Sequence, residues 1–146
     1  MAKVHKIGIS KIRGDKITEL KSVEVISGKG LVNDRYFKEG NDKKCQITLI
    51  EKENIDYYNM KSKTNILEIN FIRNIVTEGI QLNNLVGKEF LIGNVKIKGH
   101  DLCRPCKNLQ DNLKKSDIIK EFLYKGGLRC EILTSGKISV GDLIKW

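Results

Sequence analysis

The sequence predicts a mostly β protein, a closed or partly open β-barrel with two or three short peripheral helices. Short β-favouring segments recur along the 146 residues, each bounded by Gly, Asn, Asp or Ser. Strand mostly follows strand without a regular intervening helix, which disfavours a doubly wound parallel sheet. At 40% apolar and 31% charged residues the composition suits one globular core, so residues 1–146 are read as a single domain.

Val4 to Ser10 alternates late, at Ile7 and Ile9, and reads as a strand. A turn at Arg13-Gly14-Asp15-Lys16 joins it to a second strand over Ile17 to Ile26, with Val23 and Val25 on one face. Gly28-Lys29-Gly30 breaks the pattern, and Leu31 to Lys44 is polar and aperiodic. Long aperiodic loops in compact domains are more often functional than neutral, which draws attention to Asp34, Arg35 and Tyr36. Gln46 to Ile50 is a short strand. Glu51 to Met60, with an acidic first turn and apolar Ile55, Tyr58 and Met60, predicts a short helix.

Ile66 to Thr77 is rich in Ile and Val, which argues for extended structure, although Ile66, Leu67 and Ile69 also fit the continuation of a helix. Asn83-Asn84 and Gly87 bracket a turn. Phe90-Leu91-Ile92, Gly93-Asn94 and Val95-Lys96-Ile97-Lys98 make a hairpin. Ser116 is the expected cap of a helix through Ile118, Ile119, Phe122 and Leu123, stopped by Gly126-Gly127. Leu128 to Leu133 and Ile138 to Ile144 close the chain as strands around Ser135-Gly136.

No apolar run approaches the ~20 residues of a spanning helix. Lys3, His5 and Lys6 interrupt the first ten residues, where a signal peptide needs an unbroken apolar segment. The expectation is a cytoplasmic protein without membrane contact, its cysteines reduced. The net charge of +9 favours an anionic partner. That partner is nucleic acid or a small phosphorylated ligand, but a solvated lysine-rich surface fits the charge as well; the cations are scattered and aromatic residues are few, which counts against nucleic acid.

The most reactive stretch is His100-Asp101-Leu102-Cys103-Arg104-Pro105-Cys106-Lys107-Asn108-Leu109, with two of the four cysteines and the only proline. Three chemistries compete for it. Structural zinc would use His100, Cys103 and Cys106, but zinc wants four ligands, usually as two close pairs, and Cys45 and Cys130 are isolated. A thiol–disulfide redox site would use the Cys103–Cys106 pair at a helix start. Against it, the motif comes late and the chain lacks a second proline to sit beside the dithiol. The third chemistry is a reactive or metal-binding thiolate. A free thiol is about 3% ionised at pH 7, and a pKa near 6.5 raises that to roughly three quarters. Arg104, Lys107 and helix amides after Pro105 are the groups available for such a shift, and a thiolate suits a soft metal.

The ordered set Arg73-Asn74-Ile75-Val76-Thr77-Glu78-Gly79-Ile80, Leu85-Val86-Gly87, Ile92-Gly93, Cys103-Arg104-Pro105-Cys106, Gly126-Gly127-Leu128-Arg129 and Ile138-Ser139-Val140-Gly141-Asp142 resembles the MOSC domain. That domain is the C-terminal module of molybdenum cofactor sulfurases and also occurs as small stand-alone bacterial proteins. The resemblance reaches upstream to Gly30, Asp34-Arg35 and Gln46-Ile47-Thr48-Leu49. It implies a barrel-like β fold and binding of the molybdenum cofactor (molybdopterin), an anionic pterin, or handling of sulfur destined for a metal centre. A cysteine desulfurase or a molybdoenzyme is the implied partner. The family also carries an association with pyridoxal phosphate binding.

By the same resemblance Cys106 matches the cysteine that ligates molybdenum in MOSC-containing reductases, with Cys103 as a resolving thiol, second sulfur acceptor or packing residue. Arg73 and Asn74 match a segment expected near the cofactor's phosphate or pterin. Asp34 and Arg35 match a loop that lines the pocket or is pinned by an ion pair, and Arg129 matches a phosphate contact or rim residue. The chain departs from the family pattern at Asn33 and Tyr36, which stand in place of Gly and His, at Cys45, in place of Arg, and at Cys130, in place of a small residue. These departures leave open a binding or carrier role without turnover, beside a subunit of a molybdenum oxidoreductase.

Overall fold

The structure, a computed structural model, describes residues 1–12, 16–105 and 107–146. Residues 13–15 of the turn expected over Arg13-Gly14-Asp15-Lys16, and Cys106, therefore lie outside the described residues. Among the described residues, eleven strands run in chain order: β1 (Lys3–Ile9), β2 (Thr18–Leu20), β3 (Ser22–Ile26), β4 (Gly30–Leu31), β5 (Ile47–Glu51), β6 (Ile75–Glu78), β7 (Glu89–Ile92), β8 (Val95–Leu102), β9 (Leu128–Ile132), β10 (Gly136–Ser139) and β11 (Ile144–Lys145). Three helices, α1 (Lys52–Ser62), α2 (Lys107–Leu113) and α3 (Ile118–Glu121), and two 3-10 turns at Glu68–Phe71 and Leu82–Leu85 complete the described elements.

Eight strands form one sheet in the order β11-β7-β8-β9-β5-β6-β1-β2, curled into an open half-barrel. A three-stranded sheet, β10-β3-β4, is the second layer. Val4 N donates to the Asp142 carbonyl and Ile144 N to the Ala2 carbonyl, both at 2.9 Å, drawing the last strand back to the first. The main core holds Ile7, Val25, Leu31, Ile47, Leu49, Ile75, Ile97 and Ile132 among others, all buried. Each fully buried aliphatic side chain of this kind contributes roughly 2 kcal/mol.

The late alternation in β1 has a structural cause. Val4 pairs with Thr77 and Lys6 with Val76, so His5 is the extra residue of a β-bulge. The bulge shifts the phase of alternation, and Val4 and Ile7, three residues apart, are both buried.

β5 and β6 are parallel neighbours joined through α1, the connection that a parallel pair requires. Both faces of this pair are covered. Ile47, Leu49 and Ile75 point into the main core, while Ile50 and Val76 join a second cluster with Ile55, Tyr58, Phe71, Leu109, Ile118 and Phe122 under the helices. The uniformly apolar runs in both strands follow from that double burial.

Four local expectations need correcting. The strand foreseen over Ile17–Ile26 splits at Lys21, β2 pairing with β1 and β3 with β10. The extended reading of Ile66–Thr77 holds only from Ile75, because Glu68–Phe71 winds into a 3-10 turn that buries Ile69 and Phe71. The last helix begins after Asp117, not Ser116, with no capping hydrogen bond from the Asp117 side chain, and it ends at Glu121, ahead of the two glycines. Ile138–Ile144 is broken between β10 and β11 by a turn at Val140–Gly141, where Gly141 has φ +91°.

Gly126 and Gly127 have a tertiary role beyond stopping a helix. Gly127 has φ +111°, and a Cβ there would stand 2.0 Å from the Leu49 carbonyl oxygen. A Cβ on Gly126 would stand 2.6 Å from the Cys103 carbonyl oxygen. Only glycine lets β9 begin this close to β5 while Cys103 N donates to the Gly127 carbonyl at 2.7 Å.

Candidate functional site: a cationic cleft

The starts of β5, β6 and β9 and the end of β8 meet at one end of the large sheet, beside the loop over residues 32–46. They enclose a cleft of about 320 Å³, within the ~300–1,000 Å³ typical of small-ligand sites. Five cations line it: Arg35, Lys44, Arg73, Arg104 and Arg129. Among the described residues no carboxylate lines it; the other lining residues are Tyr36, Cys45, Thr48, Ile72, Asn74 and Cys103.

Arg73 enters through a sharp turn. Ile72 adopts a left-handed conformation, φ 61°, at the end of the 3-10 turn. A β-branched residue rarely tolerates that region, and such strain, about 1–3 kcal/mol, concentrates at functional sites. Arg73 Nε then donates to the Gly126 carbonyl at 2.9 Å, which fixes the guanidinium against the glycine pair.

Asn74 is more fully committed than the sequence suggests. Its Oδ1 accepts from Thr48 N at 3.1 Å and Thr48 Oγ1 at 3.2 Å, and its Nδ2 donates to the Gly8 carbonyl at 3.2 Å. One amide hydrogen remains for any ligand. Asn74 therefore ties β5 to β1 at the floor of the cleft.

Asp34 is buried, 6% exposed, and is not among the lining residues. Its Oδ1 accepts from Ser10 N at 3.0 Å and its Oδ2 from Tyr36 N at 3.4 Å, while Arg35 N donates to the Ser10 carbonyl at 2.8 Å. The carboxylate pins the loop to the end of β1 through backbone amides. Arg35 is thereby held over the Tyr36 ring, 4.5 Å from its centroid. Arg35 Nε is buried with no hydrogen-bond partner among the described residues, a donor available to an acceptor in the cleft.

Arg129 stands in register between Thr48 on β5 and Asp101 on β8. A second bulge sets this up. Gly99 pairs with Cys130 and Asp101 with Arg129, so His100 is the extra residue and the acid, not the histidine, faces the arginine. Arg129 grips Asp101 with both Nε and Nη2, and Lys44 Nζ lies 3.6 Å from the same carboxylate. The guanidinium holds the Asp101 carboxyl below its ordinary range, with help from Lys44. His100 turns to Glu131, Nε2 to Oε1 2.9 Å.

Cys103 is buried, 6% exposed. Burial pushes its thiol pKa up, against the downward pull of Arg73 and Arg129. Cys45 is half-buried on the cleft wall, and Cys130 is fully buried behind it, its thiol pushed well up by burial. Among the described residues no group of three or more His, Cys, Asp and Glu is placed to hold a metal ion, and no helix is long and apolar enough to cross a membrane.

Of the residues expected at the site, Arg35, Arg73, Asn74, Cys103 and Arg129 meet in the cleft, Asp34 braces it from behind, and Cys106 lies outside the described residues. Lys44, Thr48 and Ile72 were not singled out by sequence reasoning. For Lys44 the available signal was its place next to Cys45, and for Thr48 its place in the Gln46-Ile47-Thr48-Leu49 run. Ile72 gave none, because its left-handed conformation depends on the turn that buries Ile69 and Phe71.

The class these features define is a small, mostly β protein: a half-barrel with a cation-lined cleft at one end of its large sheet. The sequence profile of the MOSC domain matches residues 34–145, and the chain belongs to that family. The fold is shared with the YUAD protein from Bacillus subtilis, at TM-score 0.84 and 16% identity over 98% of this chain and 93% of that one. It is shared also with YiiM from Geobacillus stearothermophilus, at TM-score 0.79 and 16% identity over 99% of this chain and 74% of that one. YiiM from Escherichia coli matches at TM-score 0.71 and 19% identity, over 99% and 69%. The comparison with curated proteins finds no match.

Proposed function

We propose that the cleft binds the anionic pterin of the molybdenum cofactor, with Cys106 as the thiolate presented to the metal. The observation that carries this reading is the set of five cations lining a cleft with no lining carboxylate among the described residues. The unpartnered Arg35 Nε and the donor chemistry of Arg73 suit a phosphate, which guanidinium groups can grip at two oxygens. Arg73 and Arg35 would hold the phosphate, Arg104 would balance further negative charge, and the remaining Asn74 amide hydrogen would meet a pterin edge. Tyr36 backs Arg35 and limits its movement. When bound, the cofactor would supply redox or sulfur chemistry at its metal; this chain's residues bind it, orient it and screen its charge.

A second reading, a sulfur carrier, is favoured by Cys45 and Cys103 lining the same cleft. Here the Cys106 thiolate attacks the outer sulfur of a donor persulfide. A new S–S bond forms at Cys106, the donor's S–S bond breaks, and the donor leaves as a thiolate. Attack by Cys103 on the inner sulfur then forms a Cys103–Cys106 disulfide and releases hydrosulfide. The raised thiol pKa of Cys103 makes that release slow, which suits storage better than rapid discharge. A cysteine desulfurase would be the donor and a molybdoenzyme the acceptor.

Elemental analysis of protein from a host that makes molybdenum cofactor, wild type beside Cys106→Ser, tests the first reading. Stoichiometric molybdenum with pterin fluorescence in the wild type, lost in the variant, is the expected result. Wild type devoid of both would overturn it. For the carrier, Cys106 gains the mass of one sulfur after incubation with a cysteine desulfurase and its substrate; an unchanged mass rejects it.

A further inference from the structure

Two of the five cations in the cleft already have a counter-charge. Asp101 is not a lining residue, yet its carboxylate takes both Nε and Nη2 of Arg129 and stands 3.6 Å from Lys44 Nζ. Its place opposite Arg129 depends on the bulge at His100, which advances the β8 register by one residue. Without that extra residue, His100 would face Arg129 and the carboxylate would point to the opposite side of the sheet. The arrangement spans three chain segments: the loop that carries Lys44, β8 with Asp101 and β9 with Arg129. Arg35, Arg73 and Arg104 have no such partner among the ion pairs of the described residues.

We propose that Asp101 is a specificity-determining residue, a built-in negative charge behind the cleft that sets how much anionic charge the cleft takes and lets the ligand leave again. This deepens the anion-binding reading and rests on it. The ligand class is a phosphate monoester, which is a dianion near neutral pH. Asp101 keeps Arg129 aimed along the cleft wall while subtracting one charge from the field that a ligand meets. The field acts in proportion to ligand charge, so removing Asp101 strengthens binding of a dianion by the square of the factor for a monoanion of similar size. Loosened packing would give the opposite sign, weakening both.

The test uses two small probes at pH 8, methyl phosphate as dianion and dimethyl phosphate as monoanion, titrated by calorimetry into wild type and Asp101→Asn. The expected result is an affinity gain of about threefold for dimethyl phosphate and about tenfold for methyl phosphate, with Asp101→Glu close to wild type. Asp101 is partly exposed, so Asp101→Ser serves as a second neutral variant should the asparagine disturb folding. Equal or weaker binding in both neutral variants overturns the proposal, as does an equal gain for the two probes. Failure of either protein to bind either probe also overturns it, even where molybdenum and pterin copurify. A charge-squared gain in protein free of both overturns the cofactor reading alone.

Discussion

Asn74 and Thr48 exchange three hydrogen bonds across the floor of the cleft. Thr48 N and Oγ1 donate to Asn74 Oδ1 at 3.1 and 3.2 Å, and Asn74 N donates back to Thr48 Oγ1 at 3.1 Å. With Asn74 Nδ2 on the Gly8 carbonyl, one side chain joins three strand segments. Asn74→Ala leaves the Thr48 amide and the Gly8 carbonyl without these partners and costs about 2 kcal/mol of stability. Urea denaturation measures it, and an unchanged midpoint rejects the structural role.

Gly127→Ala places a methyl group 2.0 Å from the Leu49 carbonyl at a φ of +111°. The clash is with backbone, which cannot rotate away, so the cost is about 3 kcal/mol or more. Gly28→Ala is the control, since nothing lies within 4 Å of its added Cβ and only its φ of +77° penalises it, by about 1 kcal/mol. Comparable losses in the two variants would contradict the close approach of β9 to β5.

Tyr58 is buried and its hydroxyl donates to Asp117 Oδ1 at 2.6 Å. Burial first, and then the Asp117 carboxylate, pushes its pKa up to about 12. In the unfolded chain the phenol ionises near 10, so the unfolded state releases its proton first and stability falls as pH rises from about 10 to 12. An absorbance titration should show one of the four tyrosines ionising late, a step that Tyr58→Phe removes. All four titrating together near 10 would refute it.

Asp101 gives the opposite sign. Arg129 holds its folded pKa below the unfolded value near 4, so its contribution to stability is complete above that value and fades as pH falls through the folded pKa. The stability difference between wild type and Asp101→Asn should therefore shrink below about pH 4. A difference that is flat with pH would show that the pair adds nothing through charge.

Thiol labelling should rank the described cysteines by their surroundings. Cys45, half-buried on the cleft wall, reacts first with iodoacetamide at neutral pH. Cys103 follows slowly, because burial raises its pKa, and Cys130, sealed in the core, reacts only on unfolding. Arg73→Ala removes one of the two guanidinium groups that oppose that rise and slows Cys103 further. Peptide mass spectrometry over time reads the order. Cys130 reacting ahead of Cys45 would contradict the burial pattern.

Much of this was readable from residue order. Val95-Lys96-Ile97-Lys98 after Gly93-Asn94 specifies a hairpin wherever it occurs, and the acidic start and apolar spacing of Glu51–Met60 specify α1 to within two residues. The Cys103–Cys106 spacing drew attention to Cys103 directly, whereas Arg73 and Arg129 were legible as candidate site residues only through the ordered motif set, since no local rule distinguishes Arg129 from a surface arginine. The site's supporting contacts lie far apart in sequence: Asn74 to Gly8 spans 66 residues, Arg73 to Gly126 spans 53.

By itself, residue order determined the mostly β class, the hairpins, the first helix and the family, because periodicity and turn chemistry are local and the motif order is linear. Tertiary structure alone decided which cations share a wall, that Asp34 braces the loop through backbone amides, and that Asp101 and not His100 meets Arg129. The physical reason is the pleat. One extra residue in a strand reverses which side chains face the cleft, and whether the strand takes up that residue depends on its neighbours across the sheet.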